Sequence, residues 1–318
     1  MSTLHVRSFA EDDIPAAGAL LAARHRRHRT AQPLLSPAYD APTAAAEAVR
    51  DAWSAERASG TVAERDGRVV GYLVGSPKAD DVWGPNIWIE AAGVAADNAE
   101  DARDLYAHAA ASWVAEGRIA HYVVLPARDP LVSAFFRLAF GHQHTHAIRP
   151  LPDGPISDPR VRGARRDDIP VLARLEVELP LHQGRSPVFS SGTVPIESEA
   201  AAEWDEDFDD PDYATFVVEV DGAVVGSAVG CALEKSSLHR GVSRPDHAGF
   251  LGFAAVLPEA RGRGLGRALG EAVLDWCRTE GFDSVVTDWR ETNLRSSRAW
   301  PALGFEPSFL RLHRVVGH

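Results

Sequence analysis

Residues 249–256 form an unbroken apolar run, which predicts a buried strand. Further on, Ala268, Leu269, Ala272, Val273 and Trp276 recur at helical spacing and predict a helix with one buried face. The turn between them reads Val256-Leu257-Pro258-Glu259-Ala260-Arg261-Gly262-Arg263-Gly264-Leu265-Gly266-Arg267. Short strands are expected at 4–7 and 160–163. Each precedes an Asp-Asp-Ile-Pro run, at 12–15 and 167–170, that opens a helix with Asp as cap and Pro in the first turn. Asp66-Gly67 and Asp221-Gly222 predict two-residue hairpin turns. In each half a third strand, a helix, a strand, a helix and a closing strand follow.

The two halves share a register. Val6-Arg7, Asp12-Asp13-Ile14-Pro15 and Leu20 recur 155 residues later at Val161-Arg162, Asp167-Asp168-Ile169-Pro170 and Leu175. Asp66-Gly67, Val69-Val70-Gly71 and Gly75 recur at the same offset as Asp221-Gly222, Val224-Val225-Gly226 and Gly230. Two separated blocks in one register indicate a tandem duplication of a fold of about 150 residues. The expected division is 1–150, a linker at 151–158 rich in turn formers, and 159–318.

Composition narrows the function. The formal charge of −12 disfavours nucleic acid as a partner and favours a cationic one. Cys231 and Cys277, the only cysteines, give neither a disulfide framework nor a metal cluster, as in a reducing cytoplasm. The first residues lack the charged-then-apolar pattern of a signal peptide. No apolar run reaches membrane-spanning length.

The glycine turn carries the chemistry. A helix N-terminus presents backbone N–H groups without intrahelical partners and about half a positive charge, so it binds pyrophosphate. Arg261, Arg263 and Arg267 add charge around it. A nucleotide-hydrolysing phosphate loop would end in Gly-Lys-Ser/Thr, which is absent. A dinucleotide fold needs an acidic residue about 20 positions on, and Asp288 meets that spacing. Only about 50 residues follow the turn, however, too few for a doubly wound sheet.

Val256-x-Pro258-x-x-Arg261-Gly262-x-Gly264-Leu265-Gly266 resembles motif A of the GCN5-related N-acetyltransferases (GNAT), and Asn293-x-x-Ser296-x-x-Ala299-Trp300-x-x-Leu303-Gly304-Phe305 resembles their motif B. The resemblance implies an α/β (α+β) fold in two tandem copies, each a mixed, mostly antiparallel twisted sheet flanked by helices. It also implies acetyl-CoA as cosubstrate. The backbone of Ala254, Ala255 and Val256 would pair with the pantetheine arm. Arg261, Gly262, Arg263, Gly264, Leu265, Gly266 and Arg267 would hold the pyrophosphate. Asn293, Ser296 and Trp300 would complete the cofactor site, and no metal is implied. Residues 253–256 should splay from the neighbouring strand and offer a backbone N–H to the oxyanion.

For the base, Asp288 lies five residues before Asn293, where relatives acting on ribosomal proteins place a Glu. An Asp that caps its strand or pairs with Arg290 is the structural alternative. His239 and His247 are second candidates. The family's acid, a Tyr seven residues after the Asn, is Trp300 here, and its indole N–H cannot protonate a thiolate.

In the first copy, Ala99, Ala102 and Asp104 stand opposite Arg261, Gly264 and Gly266, with Asp97, Glu100 and Asp101 alongside. These acids would repel a pyrophosphate, so that copy is read as non-catalytic. Its basic run 24–29 reads as a solvated helix end, a docking face or a contact to the ribose phosphate. Residues 197–212 hold nine acidic residues, no basic ones, and the aromatics Trp204 and Phe208. With Tyr213 just beyond, this is either a solvated loop or a funnel that clamps an organic cation.

The expected activity is direct transfer of an acetyl group to a primary amine of a small cationic acceptor, within a ternary complex. A protein or peptide N-terminal acetyltransferase and a non-catalytic acyl-CoA-binding regulatory module remain open. A cytoplasmic monomer is expected, its N-terminal copy packed in cis.

Overall fold

The duplication forecast from the 155-residue register appears in the structure as a repeated ion triad. Arg7 donates to both carboxylate oxygens of Asp13, at 2.8 and 2.7 Å, and to Glu64 at 2.6 Å. Arg162 donates likewise to Asp168, at 2.7 and 3.0 Å, and to Glu219 at 2.7 Å. The arginine hydrogen bonds hold both aspartate carboxyls below the usual range, against their partial burial. These aspartates do not cap through their side chains as the sequence suggested. Each reaches back three residues instead, to the N–H of Ala10 (2.8 Å) or Arg165 (2.7 Å). The neighbouring arginine fixes the carboxylate in that position.

The computed structural model describes residues 3–190 and 192–317. In chain order the first copy runs β1 (His5–Ser8), α1 (Ile14–Ala31), α2 (Pro42–Trp53), β2 (Ser59–Arg65), β3 (Arg68–Gly75), α3 (Asp80–Trp83), β4 (Asn86–Ile89), β5 (Val94–Ala96), α4 (Asp101–Ala115), β6 (Ala120–Pro126), α5 (Leu131–Phe136) and β7 (Gly141–Pro150). The second runs β8 (Val161–Gly163), α6 (Ile169–Gln183), α7 (Glu197–Asp207), β9 (Tyr213–Val220), β10 (Ala223–Ala232), β11 (Ala248–Val256), α8 (Leu265–Thr279), β12 (Ser284–Arg290), α9 (Ser296–Ala302) and β13 (Glu306–Val315). Both hairpin turns have the expected left-handed residues: Asp66 and Gly67 at φ 54° and 73°, Asp221 and Gly222 at 52° and 79°.

The compact units are drawn differently from the sequence copies. One comprises Met1–Thr145, Arg240–Asp246 and Pro307–His318, the other His146–His239 and His247–Glu306. The last strand of the chain, β13, pairs antiparallel with β6, from Phe309 opposite Pro126 to Val315 opposite Ala120. From His146 onward, β7 belongs to the second unit, where it borders β12. Expected boundaries at 150 and 159 follow chain order. Strand pairing follows edge complementarity, which chain order does not encode.

In the first unit β1–β2–β3–β5 pair antiparallel, and β4 pairs parallel with β6. One apolar core of this unit gathers Ile14, Leu21, Val49 and Tyr72, and a second gathers Leu73, Leu105, Trp113 and Phe135. In the second unit β8, β9, β10 and β11 run antiparallel in turn, and β12 joins β11 in parallel. A mixed, mostly antiparallel sheet flanked by helices is thus the observed fold class. Leu251, Leu265, Leu269, Val273 and Val285 form this unit's core with Trp289, Trp300 and Phe305.

The basic run of α1 is not a solvated helix end. Arg24 is 2% exposed and donates to the carbonyls of Ala91 and Val94, while the Tyr72 hydroxyl donates to Ala92 at 2.6 Å. His25 meets the Ser36 carbonyl at 2.8 Å. His28 packs edge-on against Phe309, 4.8 Å between ring centroids, and burial pushes its imidazole down to about 3. Arg26 and Arg29 bond the backbone and carboxylate of Asp40. Five of the six side chains thus engage neighbouring groups, because buried carbonyls need donors and α1 supplies them. Arg24→Ala is expected to cost about 2–4 kcal/mol, since two buried carbonyls lose a charged donor and a cavity remains. Urea unfolding checks this, and a loss below about 1 kcal/mol would mean that water reaches those carbonyls.

Candidate active site

The site forms where β11 and β12 part. Their parallel pairing runs from Ala248 opposite Ser284 to Leu251 opposite Thr287 and ends there. Against β10 the register of β11 slips between Phe253 and Leu251, so Gly252 is a bulge. A bulge bends and twists its strand. Past it, β11 continues beside β10 to Val256, while β12 runs on to Arg290. The splay expected for residues 253–256 is present.

Beyond the splay comes the glycine turn. Gly262 and Gly264 have φ of 80° and 75°, a region that L side chains rarely adopt. No side chain caps α8 at Gly264. A Cβ built on Gly262, Gly264 or Gly266 would meet nothing within 4 Å. The turn is therefore open on the side where a ligand would approach, with first-turn N–H groups that lack helical partners. An anionic diphosphate fits this turn by charge and by space.

Around the turn the arginines differ in role. Arg261 donates to the Val256 carbonyl at 2.9 Å and faces Glu178 of α6 at 3.5 Å. It clips the turn to the end of β11, and it occupies the Val256 carbonyl expected to pair with a ligand. Arg267 lies exposed on α8, bonded to Glu271 at 2.8 Å. Arg263 is also exposed, and its carbonyl accepts a 3.5 Å bond from Arg160.

The matching helix start in the first unit is closed by ion pairs. Asp101 accepts two bonds from Arg65, at 3.1 and 2.9 Å, and Asp97 pairs with Arg68 at 2.6 Å. Glu100 takes Arg103 at 2.5 Å and Arg137 at 2.6 Å. The carbonyls of Ala91 and Val94, which align with Phe253 and Val256, are filled by Arg24. Sequence reading found the acids and missed this guanidinium, because it arrives from a helix 67 to 70 residues away.

Asp288 is the first residue of β12 past the last pair with β11. Val285 and Trp289 on the same strand lie in the core with α8, and Thr287 donates to Leu251 at 2.9 Å. Alternation therefore turns Asp288 and Arg290 to the other face, where Arg290 donates to Gln183 at the end of α6. His239 Nε2 lies 3.9 Å from Asp288 Oδ2. Two of the three base candidates thus meet. The third, His247, sits before β11 at its opposite end, 3.7 Å from Asp283.

Motif B residues hold the turn after β12. Asn293 is buried, and its side-chain oxygen accepts the Arg295 N–H at 3.2 Å and meets His182 Nε2 at 3.3 Å. Ser296 Oγ bonds the Asn293 carbonyl at 3.4 Å. Trp300 is buried in the core, 3.2 Å from where a Cβ on Gly270 would lie, and stands edge-on to Phe305. Its position is that of a packing residue between α9 and α8.

The acidic segment is partly neutralised. Arg166 pairs with Asp205 and Asp209 and covers the Phe208 ring at 5.6 Å, and Lys235 pairs with Asp212. Trp204 donates to Glu176 of α6 at 2.7 Å. Two of the three aromatics expected to clamp a cation are thus engaged with neighbouring charged side chains.

Burial pushes the Cys231 thiol up to about 11 and that of Cys277 to about 12, so neither offers a thiolate nucleophile. Among the described residues no cluster of three His, Cys, Asp or Glu could hold a metal, and no helix is long and apolar enough to cross a membrane.

Residues 181–305 match the model of the acetyltransferase (GNAT) family. A mycothiol acetyltransferase of Frankia casuarinae is 38% identical over 90 residues, 28% of this chain. That match spans 26% of the relative. A GCN5-related N-acetyltransferase from Sphaerobacter thermophilus superposes with a TM-score of 0.57 at 15% identity, covering 99% of this chain and 96% of that one. The GCN5-related glucosamine N-acetyltransferase region of a fungal multi-domain β-N-acetylglucosaminidase gives 0.55 at 14% identity, covering 98% of this chain and 38% of that one. At these identities the two structures share the fold with this chain and nothing narrower.

Proposed function

We propose that the second copy, of which residues 181–305 match the model of the acetyltransferase (GNAT) family, transfers an acetyl group from acetyl-CoA to the primary amine of a small acceptor. The carrying observation is the open, uncapped turn at Gly262–Gly264, placed directly after a splayed strand. Acetyl-CoA supplies the acyl group as an activated thioester. The N–H groups of Gly264, Leu265, Gly266 and Arg267 hold its diphosphate, with Arg263 nearby. Gly252 to Ala255 present the backbone edge that β12 leaves, for pairing with the pantetheine arm and for a donor to the oxyanion. Asn293, its oxygen engaged, has its amide nitrogen to offer.

Asp288 accepts the proton as the amine nitrogen bonds to the acetyl carbon and the carbon–sulfur bond breaks. Burial pushes both thiols up, which argues against an acyl-cysteine and supports direct attack. The thiolate, of pKa about 8.5 in model thiols, leaves without a protein acid at the Trp300 position. A cationic acceptor is the finer reading, supported by the acidic residues of α7 and the net charge of −12.

Trp300 favours a second reading, an acyl-CoA-binding module without turnover. A screen of amines with acetyl-CoA and a thiol-release readout decides between them. Release with an amine and none without supports transfer, whereas binding without release on any amine selects the module.

Calorimetry is expected to give one acetyl-CoA per chain, and light scattering a monomer of 34.3 kDa. Two equivalent sites would contradict the reading of the first copy as closed by Arg24 and its acid pairs.

A further inference from the structure

His239 cannot meet a substrate, because its side chain is fully enclosed, whereas Asp288 keeps 16% of its side chain exposed. The imidazole is held on several sides. His146 of β7 lies against it at 4.5 Å between ring centroids, and Phe250 of β11 at 5.2 Å. Ser236 Oγ sits 2.9 Å from Nδ1. That oxygen accepts the Leu238 N–H at 3.3 Å and keeps its own hydrogen to give to Nδ1. A ring nitrogen that accepts leaves the hydrogen on the other. With Ser236 as donor, Nε2 carries the ring hydrogen on the side of Asp288 Oδ2, 3.9 Å away.

We propose that His239 is a positioning residue for Asp288, aiming its carboxylate across the opening between β11 and β12 and keeping it ionised there. The proposal rests on the acetyl-transfer reading. At 3.9 Å the contact is longer than a hydrogen bond, and bonds between catalytic groups commonly tighten only in the substrate complex. A donor facing the carboxylate favours its charged form, the form that takes the amine's proton. Among titratable groups, His146 of β7 lies against the His239 ring and Asp288 of β12 faces its Nε2. Sequence reading ranked His239 only as a rival base, because nothing in the chain tells that its loop folds back onto β12.

Two substitutions separate the role from packing. His239→Phe keeps the ring between His146 and Phe250 and removes the donor. His239→Gln keeps an N–H donor and cannot titrate. His239→Phe is expected to lower kcat roughly 10–100-fold with KM for acetyl-CoA unchanged, and to move the acid limb of the kcat–pH profile upward by about one unit. His239→Gln should recover most of that loss. Independently of turnover, NMR titration of the His239 ring, assigned with His239→Gln, should show its midpoint fall by about one unit in Asp288→Asn. An unmoved midpoint, or wild-type kcat and pH profile in His239→Phe, overturns this inference. The transfer reading survives that result if Asp288→Asn is slow. If Asp288→Asn turns over like wild type, Asp288 is not the proton acceptor and this inference falls with that role, whereas the transfer reading falls only if no amine releases thiol.

Discussion

Gly264→Asp is expected to abolish acetyl-CoA binding while leaving the fold intact. Gly264 is the N-cap of α8 at φ 75°, and its side-chain direction opens onto space with nothing within 4 Å. An aspartate there strains the backbone by about 1–2 kcal/mol. Its carboxylate at a helix N-terminus returns about 0.3–1 kcal/mol, so the melting temperature should move little. For the ligand the two effects add. The carboxylate takes the first-turn N–H groups a diphosphate would use, and it repels that diphosphate. Calorimetry should show affinity reduced beyond about a thousandfold, which corresponds to the loss of roughly 4 kcal/mol. Retained micromolar affinity would place the cofactor elsewhere. Gly264→Asn isolates the strain, because it has nearly the same shape without charge and should lose much less.

Asp288→Asn is expected to lower the transfer rate by ~10²–10⁴, the usual worth of a positioned proton acceptor. Affinity for acetyl-CoA should stay unchanged, because the cofactor turn is built from backbone groups some 20 residues earlier in the chain. Asparagine keeps the shape and the potential contact to His239 while removing the basic oxygen. The loss should shrink as pH approaches the acceptor amine's own pKa, where free amine no longer needs a base. Steady-state rates across pH with a fixed amine check this. A constant deficit at all pH values would mean that Asp288 orients rather than accepts. No deficit at all would leave the family resemblance supporting cofactor binding alone.

What the chain states by itself about the site is the part written in consecutive residues. The turn from Pro258 to Arg267 was legible because left-handed backbone needs glycine, and two of its glycines do adopt positive φ. The helix after it was legible because Ala268, Leu269, Ala272, Val273 and Trp276 recur at helical spacing, and Ala268, Leu269 and Val273 are indeed buried. The splay followed from the resemblance, and the bulge at Gly252 gives its local cause. Arg261 shows the limit of such reading. Its charge is plain in the sequence, but its engagement with Val256 and Glu178 depends on where β11 ends and how α6 lies.

The duplication was equally legible, and the structure repeats it down to the triads Arg7–Asp13–Glu64 and Arg162–Asp168–Glu219. The Arg–Asp leg of each triad spans six residues and the Arg–Glu leg 57, and both recur because the whole copy is repeated in one register. Long-range pairing is another matter. That β13 completes the sheet beside β6, that Arg24 fills the carbonyls of Ala91 and Val94, and that His239 reaches Asp288 are contacts across 49 to 195 residues. Hydrophobic period and turn chemistry are short-range signals, spent within one element or one turn. Which edge a strand joins, and which buried acceptor a distant guanidinium or imidazole meets, is settled only when the whole chain packs and every buried polar group must find a partner.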